Sequence, residues 1–313
     1  MCDFSCYGGP SDEWINLAAT LPEPPPADVP LPEQQRRVNE DREATAAEEM
    51  KSLRHHVHLR DYSIPTKDGS SIDARSYRTT SLAKDVLLPV YIHLHGGGFL
   101  FGTLSSEDAV CTRIALEAQV VVVNVNYRHT PDYTYPTAWD DVRDAFEWIH
   151  ANIDSLKGQS QKVVIGGISA GGHLAASLTL EKHLGRSAVS CPPIAGQVLM
   201  IPCLVNVNCY GPQLEKLRDP SVSSYVENKD APILSLARSR FITDLLKIGD
   251  LEVGDTRLNI GNATTTQVKG LPPTVFGIAG LDPLRDEALL YAKLLTEARY
   301  VLLEPQTSRD KLC

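Results

Sequence analysis

The stretch VVIGGISAGG, residues 163–172, decides how this chain folds. Its first three residues are apolar and β-branched, which is typical of a buried strand, and the residues after Ser169 begin a helical pattern that continues to His183. Between strand and helix the chain turns so sharply that Gly167 and Gly171, on either side of Ser169, must lack a Cβ atom. The stretch therefore predicts a turn that holds the Ser169 hydroxyl above the sheet, beside the free amides of a helix N-terminus.

Apolar runs of the same kind occur on both sides of this turn, and several are followed by a helical pattern. The predicted buried strands are 86–94, 120–125, 163–165, 194–201 and 274–278, and the predicted helices are 108–117, 139–152, 170–183 and 285–299. Before them, two strands flank a hairpin turn at Asp68-Gly69. Since a continuously apolar strand is buried on both faces, the sequence predicts an α/β fold with a mostly parallel central sheet and helices on both faces.

Two segments depart from this pattern. Residues 1–54 contain predicted helices at 11–19 and 33–53, on either side of a proline-rich linker, and residues 204–269 are rich in Asn, Pro and charged residues, with a helical piece near 235–248. Neither segment could bury a core alone. We expect residues 55–313 to form the α/β domain, with residues 1–54 and the insertion at 204–269 forming a helical cap over it.

A second glycine motif, HGGGF at residues 95–99, follows the predicted strand 86–94. Three glycines let the backbone approach a substrate carbonyl closely, and an amide that meets the oxyanion of a tetrahedral intermediate is commonly worth about 3 kcal/mol. The expected donors are the amides of Gly97, Gly98 and Ala170. We expect His95 and Gly96 to support this loop, with His95 taking no part in proton transfer. The alternatives are a tight packing turn at Ser169 and a merely flexible loop here.

Together with three further motifs, these two resemble the hormone-sensitive-lipase-like esterases, the α/β-hydrolase fold-3 family. In chain order the motifs are HGGGF at 95–99, NYRHTP at 126–131, YPTAWDD at 135–141, GISAGG at 167–172 and LDPLRDE at 281–287. The resemblance covers about residues 57–299, and fungal secondary-metabolism hydrolases are among the similar proteins. It implies an α/β-hydrolase fold with a cap, and cleavage of small or medium carboxylic esters by a serine nucleophile, Ser169, without metal or cofactor.

The resemblance places the acid of a catalytic triad at Asp282, in a loop after the predicted strand 274–278. Spacing alone does not choose between Asp282 and its neighbours Asp286 and Glu287, which are expected to cap or neutralise the following helix. The family also carries a histidine after the acid, whereas all nine histidines of this sequence precede Asp282. His173, one turn after Ser169, is expected to pack in the protein body, and His129 follows a neighbouring strand, so no triad histidine is identified.

Two interpretations of that difference stay open. The chain is either a truncated or alternatively spliced product of an active esterase lineage, or a catalytically inactive pseudo-hydrolase that binds a small ligand. A serine without a base is a poor nucleophile, so the two differ in activity. The first is the main prediction: a serine hydrolase of the carboxylesterase type, acting on a small or medium ester, with a place in secondary metabolism.

Charge and composition exclude several other classes of protein. A formal net charge of −9 argues against a nucleic-acid partner, and no apolar run approaches the roughly 20 residues of a membrane span. The seven cysteines form no Cys-x-x-Cys pair, and no signal peptide is visible, so a cytoplasmic location is expected. His56 and His58 share a strand face but lack further ligands, so no metal is expected. The expected partner is a small-molecule ester; the pattern does not indicate an oligomeric state.

Overall fold

The structure is a computed structural model that describes residues 1–20 and 29–300. At its centre lies a seven-stranded sheet with the spatial order β1-β2-β4-β3-β5-β6-β7. Its strands are β1 (Val57–Pro65), β2 (Ser71–Thr79), β3 (Leu88–Leu94), β4 (Val121–Asn126), β5 (Gly158–Ile168), β6 (Gly196–Met200) and β7 (Thr274–Gly277). Strands β3 to β7 are parallel, whereas β2 runs antiparallel to both β1 and β4. The predicted mostly parallel sheet is confirmed.

The described part of the chain contains ten α-helices. They are α1 (Asp12–Ala18), α2 (Leu31–Leu53), α3 (Asp108–Glu117), α4 (Thr137–Ala151), α5 (Ala170–His183), α6 (Gly211–Leu214), α7 (Ser224–Glu227), α8 (Leu236–Leu245), α9 (Thr265–Val268) and α10 (Arg285–Tyr300). The helices predicted at 108–117 and 170–183 have the predicted bounds. Within this part of the chain, no helix is both long and apolar enough to cross a membrane.

Strand β4 shows why the central strands carry apolar side chains on both faces. Val121, Val123 and Val125 pack into the larger hydrophobic core with side chains of α4 and α5. Val122 points to the opposite face, into a smaller core that contains side chains of α2 and α3. Because successive strand residues face opposite sides of the sheet and helices cover both sides, every one of these positions is apolar.

Most other elements begin or end a few residues from their predicted bounds, and one of these differences has a clear reason in the sequence. Strand β5 begins at Gly158, five residues before its predicted start. The prediction missed these residues because 159–162 are polar and lack the apolar pattern of a buried strand. Helix α10 ends at Tyr300, one residue beyond the predicted helix 285–299. The apolar residues 301–303 that follow it are typical of the start of a last strand, and they lie outside the described residues.

The parallel strands bring three loops to one edge of the sheet. The glycine motif follows the carboxyl end of β3, Ser169 follows that of β5, and Asp282 lies in the loop after β7. In open α/β sheets, ligands bind in a crevice outside the carboxyl ends of the strands. This edge is therefore where a functional site is expected.

Candidate active site

Ser169 occupies the turn between β5 and α5, in a backbone conformation that L-residues rarely adopt. Its φ is +53° and its ψ is −113°. The Ser169 amide donates to the carbonyl of Met200, at the end of β6, over 2.8 Å, and its own carbonyl accepts from His173 at 2.9 Å. Such a conformation costs on the order of 1–3 kcal/mol and persists only where the surroundings fix it, which is typical of functional sites.

The two glycines that flank Ser169 allow β5 and α5 to lie close to each other and to the end of β3. A Cβ atom at Gly167 would lie 2.4 Å from the carbonyl oxygen of Leu94, and one at Gly171 would lie 2.0 Å from the same oxygen. Neither distance is sterically allowed. The sequence-based expectation that both positions must lack a Cβ atom is confirmed.

The glycine motif after β3 forms a tight turn that needs two glycines for different reasons. Gly97 has a φ of +137°, and a Cβ atom there would lie 2.2 Å from the carbonyl oxygen of Phe101. Gly98 has a φ of +64°, and a Cβ atom there would lie 2.6 Å from Ile242 of α8. The Gly97 carbonyl accepts from the amides of Leu100 and Phe101 at 3.1 and 3.0 Å. We call residues 96–103 the glycine loop.

His95 lies directly beneath the glycine loop and is fully buried. Its ring stacks on Tyr127 with centroids 4.3 Å apart, and the Tyr127 hydroxyl donates to the His95 carbonyl over 2.8 Å. The Nδ1 atom lies 3.2 Å from the Gly96 carbonyl oxygen. Burial, with the neighbouring His129, lowers the pKa of His95 to about 3, so the ring is neutral at ordinary pH. These contacts fit a side chain that supports the loop.

Helix α2, from the N-terminal segment, also contacts the glycine loop, a contact that was not predicted from the sequence. Its contacting residues are four polar side chains of one helix face: Gln35, Asn39, Arg42 and Glu43. Gln35 donates to the Leu100 carbonyl at 2.6 Å, Asn39 accepts from the Gly102 amide at 2.9 Å, and Glu43 accepts from the Thr103 hydroxyl at 2.6 Å. A helical spacing of polar residues was the available signal, but it is also typical of a solvent-exposed face.

Asp282 lies in the loop between β7 and α10 and is 9% exposed. One oxygen accepts from the Leu284 amide at 2.9 Å, and the Asn228 side chain donates to its carbonyl at 3.0 Å. Burial raises the pKa of Asp282 to about 6, although the bond from Leu284 opposes this. A nearby cation would therefore strongly stabilise the ionised form of this poorly hydrated carboxylate.

The two neighbouring acidic residues have other partners. Asp286 accepts from the Ser224 amide at 2.7 Å and from the Arg285 guanidinium at 2.8 Å. Glu287 is fully buried and accepts from the Leu204 amide at 2.6 Å, and burial raises its pKa well above the usual range. Asp282 lines the cavity beside Ser169, and neither of these two residues does.

One cavity of about 940 Å³ joins these elements. Ser169, Ala170, Asp282 and residues 96–98 line its floor, next to the aromatic rings of Phe99 and Trp139. Much of the remaining wall comes from the segments predicted to form a cap, and it includes Trp14 of α1, Val38 of α2 and Ile242 of α8. The lining is mostly apolar, with few polar groups near the serine, which is the usual composition of a small-molecule site.

The histidines discussed above take separate positions. His173 lines the cavity, but its Nδ1 lies 2.7 Å from the Cys203 carbonyl oxygen and its ring packs edge-on against Trp139. His129 packs against His95 and Tyr127. Burial lowers the pKa of both His173 and His129 to about 4. Within residues 1–20 and 29–300, no histidine is hydrogen-bonded to the Ser169 hydroxyl, and no three potential metal ligands cluster.

Known proteins resemble this chain in both sequence and structure. A family model described as an alpha/beta hydrolase fold matches residues 91–303, more than half of the chain. Carboxylesterase NlhH of Mycobacterium tuberculosis is 37% identical over 215 residues, which are 67% of this chain and 61% of that protein. Versiconal hemiacetal acetate esterase of Dothistroma septosporum is 31% identical over 212 residues, which are 67% of this chain and 62% of that protein. The chain therefore spans less than two thirds of the length of both relatives.

A solved structure extends the likeness over nearly the whole chain. The crystal structure of vibralactone cyclase superposes with a TM-score of 0.82 at 28% sequence identity, and the match covers 95% of this chain and 85% of that one. Because 95% of the chain is covered, the likeness includes much of residues 1–54 and 204–269 as well as the sheet.

Proposed function

This chain belongs to the hormone-sensitive-lipase-like family of α/β hydrolases, and on that premise we propose that it is a serine hydrolase of the carboxylesterase type. One observation carries the proposal: Ser169, held at a φ of +53°, lines the same cavity as the glycine loop and Asp282. A hydroxyl fixed on such a turn, next to backbone amides, is suited to attack an ester carbonyl and to have the resulting oxyanion stabilised.

In the proposed reaction the Ser169 oxygen attacks the ester carbonyl and forms a tetrahedral intermediate. The amides of Gly97, Gly98 and Ala170 donate to the negative oxygen of that intermediate. The serine proton passes through a base to the leaving alkoxide, which departs as the alcohol, and water then hydrolyses the acyl-serine, releasing the carboxylic acid and restoring the serine hydroxyl. The reaction as proposed uses no metal or redox cofactor. Preformed donors act without reorganisation during the reaction, which makes them effective.

Asp282 is the proposed acid of the triad. Its role is to fix the orientation and tautomer of an imidazole base and to stabilise the cation formed when that base takes the serine proton. Its buried position beside the cavity, with a pKa raised to about 6, supports this role, since a partner cation would favour the ionised form. We assign the role of base to none of the histidines described above.

The size and lining of the cavity and the names of the relatives indicate the proposed class of substrate. A volume of about 940 Å³ with mostly apolar walls suits a small or medium ester with a hydrophobic acyl or alcohol part. Two relatives are named a carboxylesterase and a versiconal hemiacetal acetate esterase, so a place in secondary metabolism is part of the proposal. Residues 1–54 and 204–269 would act as the cap that determines substrate shape, and residues 55–313 as the domain that carries the chemistry.

The direct test is hydrolysis of p-nitrophenyl acetate and butyrate by the full chain and by Ser169→Ala. Loss of the nucleophile should lower kcat by about a thousandfold or more, to the background rate. Ser239→Ala is the matched control, since this serine also lines the cavity but its hydroxyl donates to the Ser235 carbonyl within α8. Equal rates for the wild-type protein and Ser169→Ala would contradict the proposal.

A second candidate function is a pseudo-hydrolase that binds a small ligand without turning it over. The observation that favours it is the Ser169 hydroxyl, which has no hydrogen-bonded base in the part of the chain that the structure describes. A thermal-shift screen with apolar carboxylic acids and their esters tests it. Stabilisation by such compounds, combined with no hydrolysis, would favour this candidate over the esterase, and no stabilisation by any of them would count against it.

A further inference from the structure

The two glycine amides proposed as donors are oriented by what the neighbouring carbonyls bind. In a trans peptide the C=O of one residue and the N–H of the next lie in one plane and point in opposite directions. The Gly96–Gly97 and Gly97–Gly98 peptides are both trans. The hydrogen bonds of the Gly96 carbonyl therefore set the direction of the Gly97 amide, and those of the Gly97 carbonyl set the direction of the Gly98 amide.

These two peptides are held by different parts of the molecule. The Gly97 carbonyl accepts from Leu100 and Phe101, so the glycine loop itself orients the Gly98 amide. The Gly96 carbonyl accepts from the Arg42 guanidinium, whose Nη1 lies 3.2 Å away, and Arg42 lies on α2, 54 residues earlier in the chain. The neighbouring His95 Nδ1 lies at the same distance of 3.2 Å.

Arg42 is itself fixed by a buried ion pair. Its Nη2 donates to Glu107 at 2.7 Å, and the other oxygen of Glu107 lies 3.0 Å from Nε2 of His93, near the end of β3. Glu107 is only 3% exposed, whereas the side chain of Arg42 is 32% exposed. The guanidinium thus bridges α2, the Gly96 carbonyl and a carboxylate anchored on the sheet, and it cannot shift without breaking these bonds.

We propose that Arg42 is a positioning residue for the oxyanion hole: by holding the Gly96 carbonyl, it directs the Gly97 amide toward the reacting oxygen. The inference rests on the proposed esterase function and adds to it a residue from the N-terminal segment. Arg42 also lines the cavity, so direct contact with the substrate is the competing role that the experiment must separate from positioning.

The experiment compares Arg42→Gln and Arg42→Lys with Arg36→Gln. Arg36 is a matched control because it is an arginine of the same helix, but its side chain is 55% exposed and, among the described residues, its ion pairs are with Glu33 and Glu40 on the surface. Loss of an oxyanion donor costs about 10²–10³ in kcat, so misalignment by Arg42→Gln should cost about 10- to 100-fold. KM should change by less than about twofold, since the donor acts on the transition state.

A second measurement tests whether Arg42 acts by stabilising the transition state. The affinity for a trifluoromethyl ketone, which forms a tetrahedral adduct with the serine, should fall by the same factor as kcat/KM. Arg42→Lys retains one cationic donor and should show a smaller loss, while Arg36→Gln should match the wild-type protein. If Arg42→Gln does not fold, the Arg42→Lys comparison with the same two readouts decides. Unchanged kcat, or a rise in KM alone, would overturn the proposal.

Hydrogen exchange separates failure of this inference from failure of the proposed function. If the wild-type protein hydrolyses p-nitrophenyl esters no faster than Ser169→Ala, the esterase proposal fails, and amide exchange at residues 100–102 then tests the positioning alone. The amides of Leu100 and Phe101 donate to the Gly97 carbonyl and that of Gly102 donates to Asn39, so their exchange reports on the stability of the glycine loop. Arg42→Gln should speed this exchange relative to Arg36→Gln. Equal exchange in the two variants would show that Arg42 does not hold the glycine loop.

Discussion

The two glycine turns at the edge of the sheet are built in opposite ways. The turn at Ser169 is fixed by contacts between backbone groups, because Gly167 and Gly171 both pack against the carbonyl oxygen of Leu94 at the end of β3. The glycine loop after β3 is held in addition by hydrogen bonds from side chains of another helix. Polar residues of α2 hold it at several of its backbone groups, across separations of 54 to 65 residues.

This difference separates two ways of encoding a site. A backbone contact that leaves no room for a Cβ atom tolerates only glycine, so a short motif marks it in the sequence. Hydrogen bonds from a distant helix fix direction without requiring any particular motif. We therefore expect substitutions at the serine turn to disrupt folding, and substitutions on α2 to affect mainly the orientation of the loop.

The largest effect should come from Gly171→Ala. Its Cβ atom would lie 2.0 Å from the Leu94 carbonyl oxygen, so α5 and β3 must move apart. We expect the free energy of unfolding to fall by about 3 kcal/mol or more, measured by urea denaturation. Gly211→Ala is the control, since a Cβ atom there meets nothing within 4 Å. Similar stabilities for the two variants would show that the turn at Ser169 is not sterically fixed.

A smaller effect, and one that depends on pH, should come from the ion pair behind the glycine loop. Burial alone would raise the pKa of Glu107, but its bond to His93 and the nearby Arg42 hold that pKa at about 2, below the usual 4.5. A carboxyl group whose pKa is lower in the folded state than in the unfolded chain stabilises the folded state at pH values above its unfolded pKa. For Glu107 this stability is lost as the pH falls from about 4.5 toward 2. The turn at Ser169, made from uncharged backbone groups, should lack this dependence.

Glu107→Gln tests that contrast. The difference in unfolding free energy between the wild-type protein and Glu107→Gln should shrink by about 1 kcal/mol between pH 6 and pH 3.5, out of roughly 3 kcal/mol over the whole range down to pH 2. Urea unfolding at pH 6, 4.5 and 3.5 measures it. Gly171→Ala should keep a constant difference from the wild-type protein over the same range. A constant difference for Glu107→Gln as well would contradict the assignment of the ion pair.

The same division governs what the sequence predicts. The turn at Ser169, helix α5 and the strands of the sheet follow from local patterns of glycine and apolar residues. The role of α2 does not, because Asn39 and Arg42 are polar residues on a helix, and their partners at Gly102 and Gly96 become neighbours only after folding. The contact of Gly98 with Ile242 of α8 was missed for the same reason.

The smallest effect should come from Asn39→Ala. The Gly102 amide loses its acceptor, which should cost about 1 kcal/mol of stability. Glu40→Ala is the neighbouring control, since in the described part of the chain Glu40 pairs with Arg36 at the surface, and its loss should change stability by less than about 0.5 kcal/mol. Thermal unfolding of both variants provides the comparison. An effect of Asn39→Ala no larger than that of Glu40→Ala would argue that α2 merely rests on the loop.

The positive φ of Ser169 has a consequence for anyone who selects or engineers this protein. Alanine at this position would keep the unfavourable backbone geometry, whereas glycine would relieve it, because glycine adopts such angles without a steric penalty. A screen that rewards heat resistance alone would therefore enrich glycine at position 169 and discard the hydroxyl. The position proposed for the nucleophile is thus one where selection for the hydroxyl and selection for thermostability would act in opposite directions.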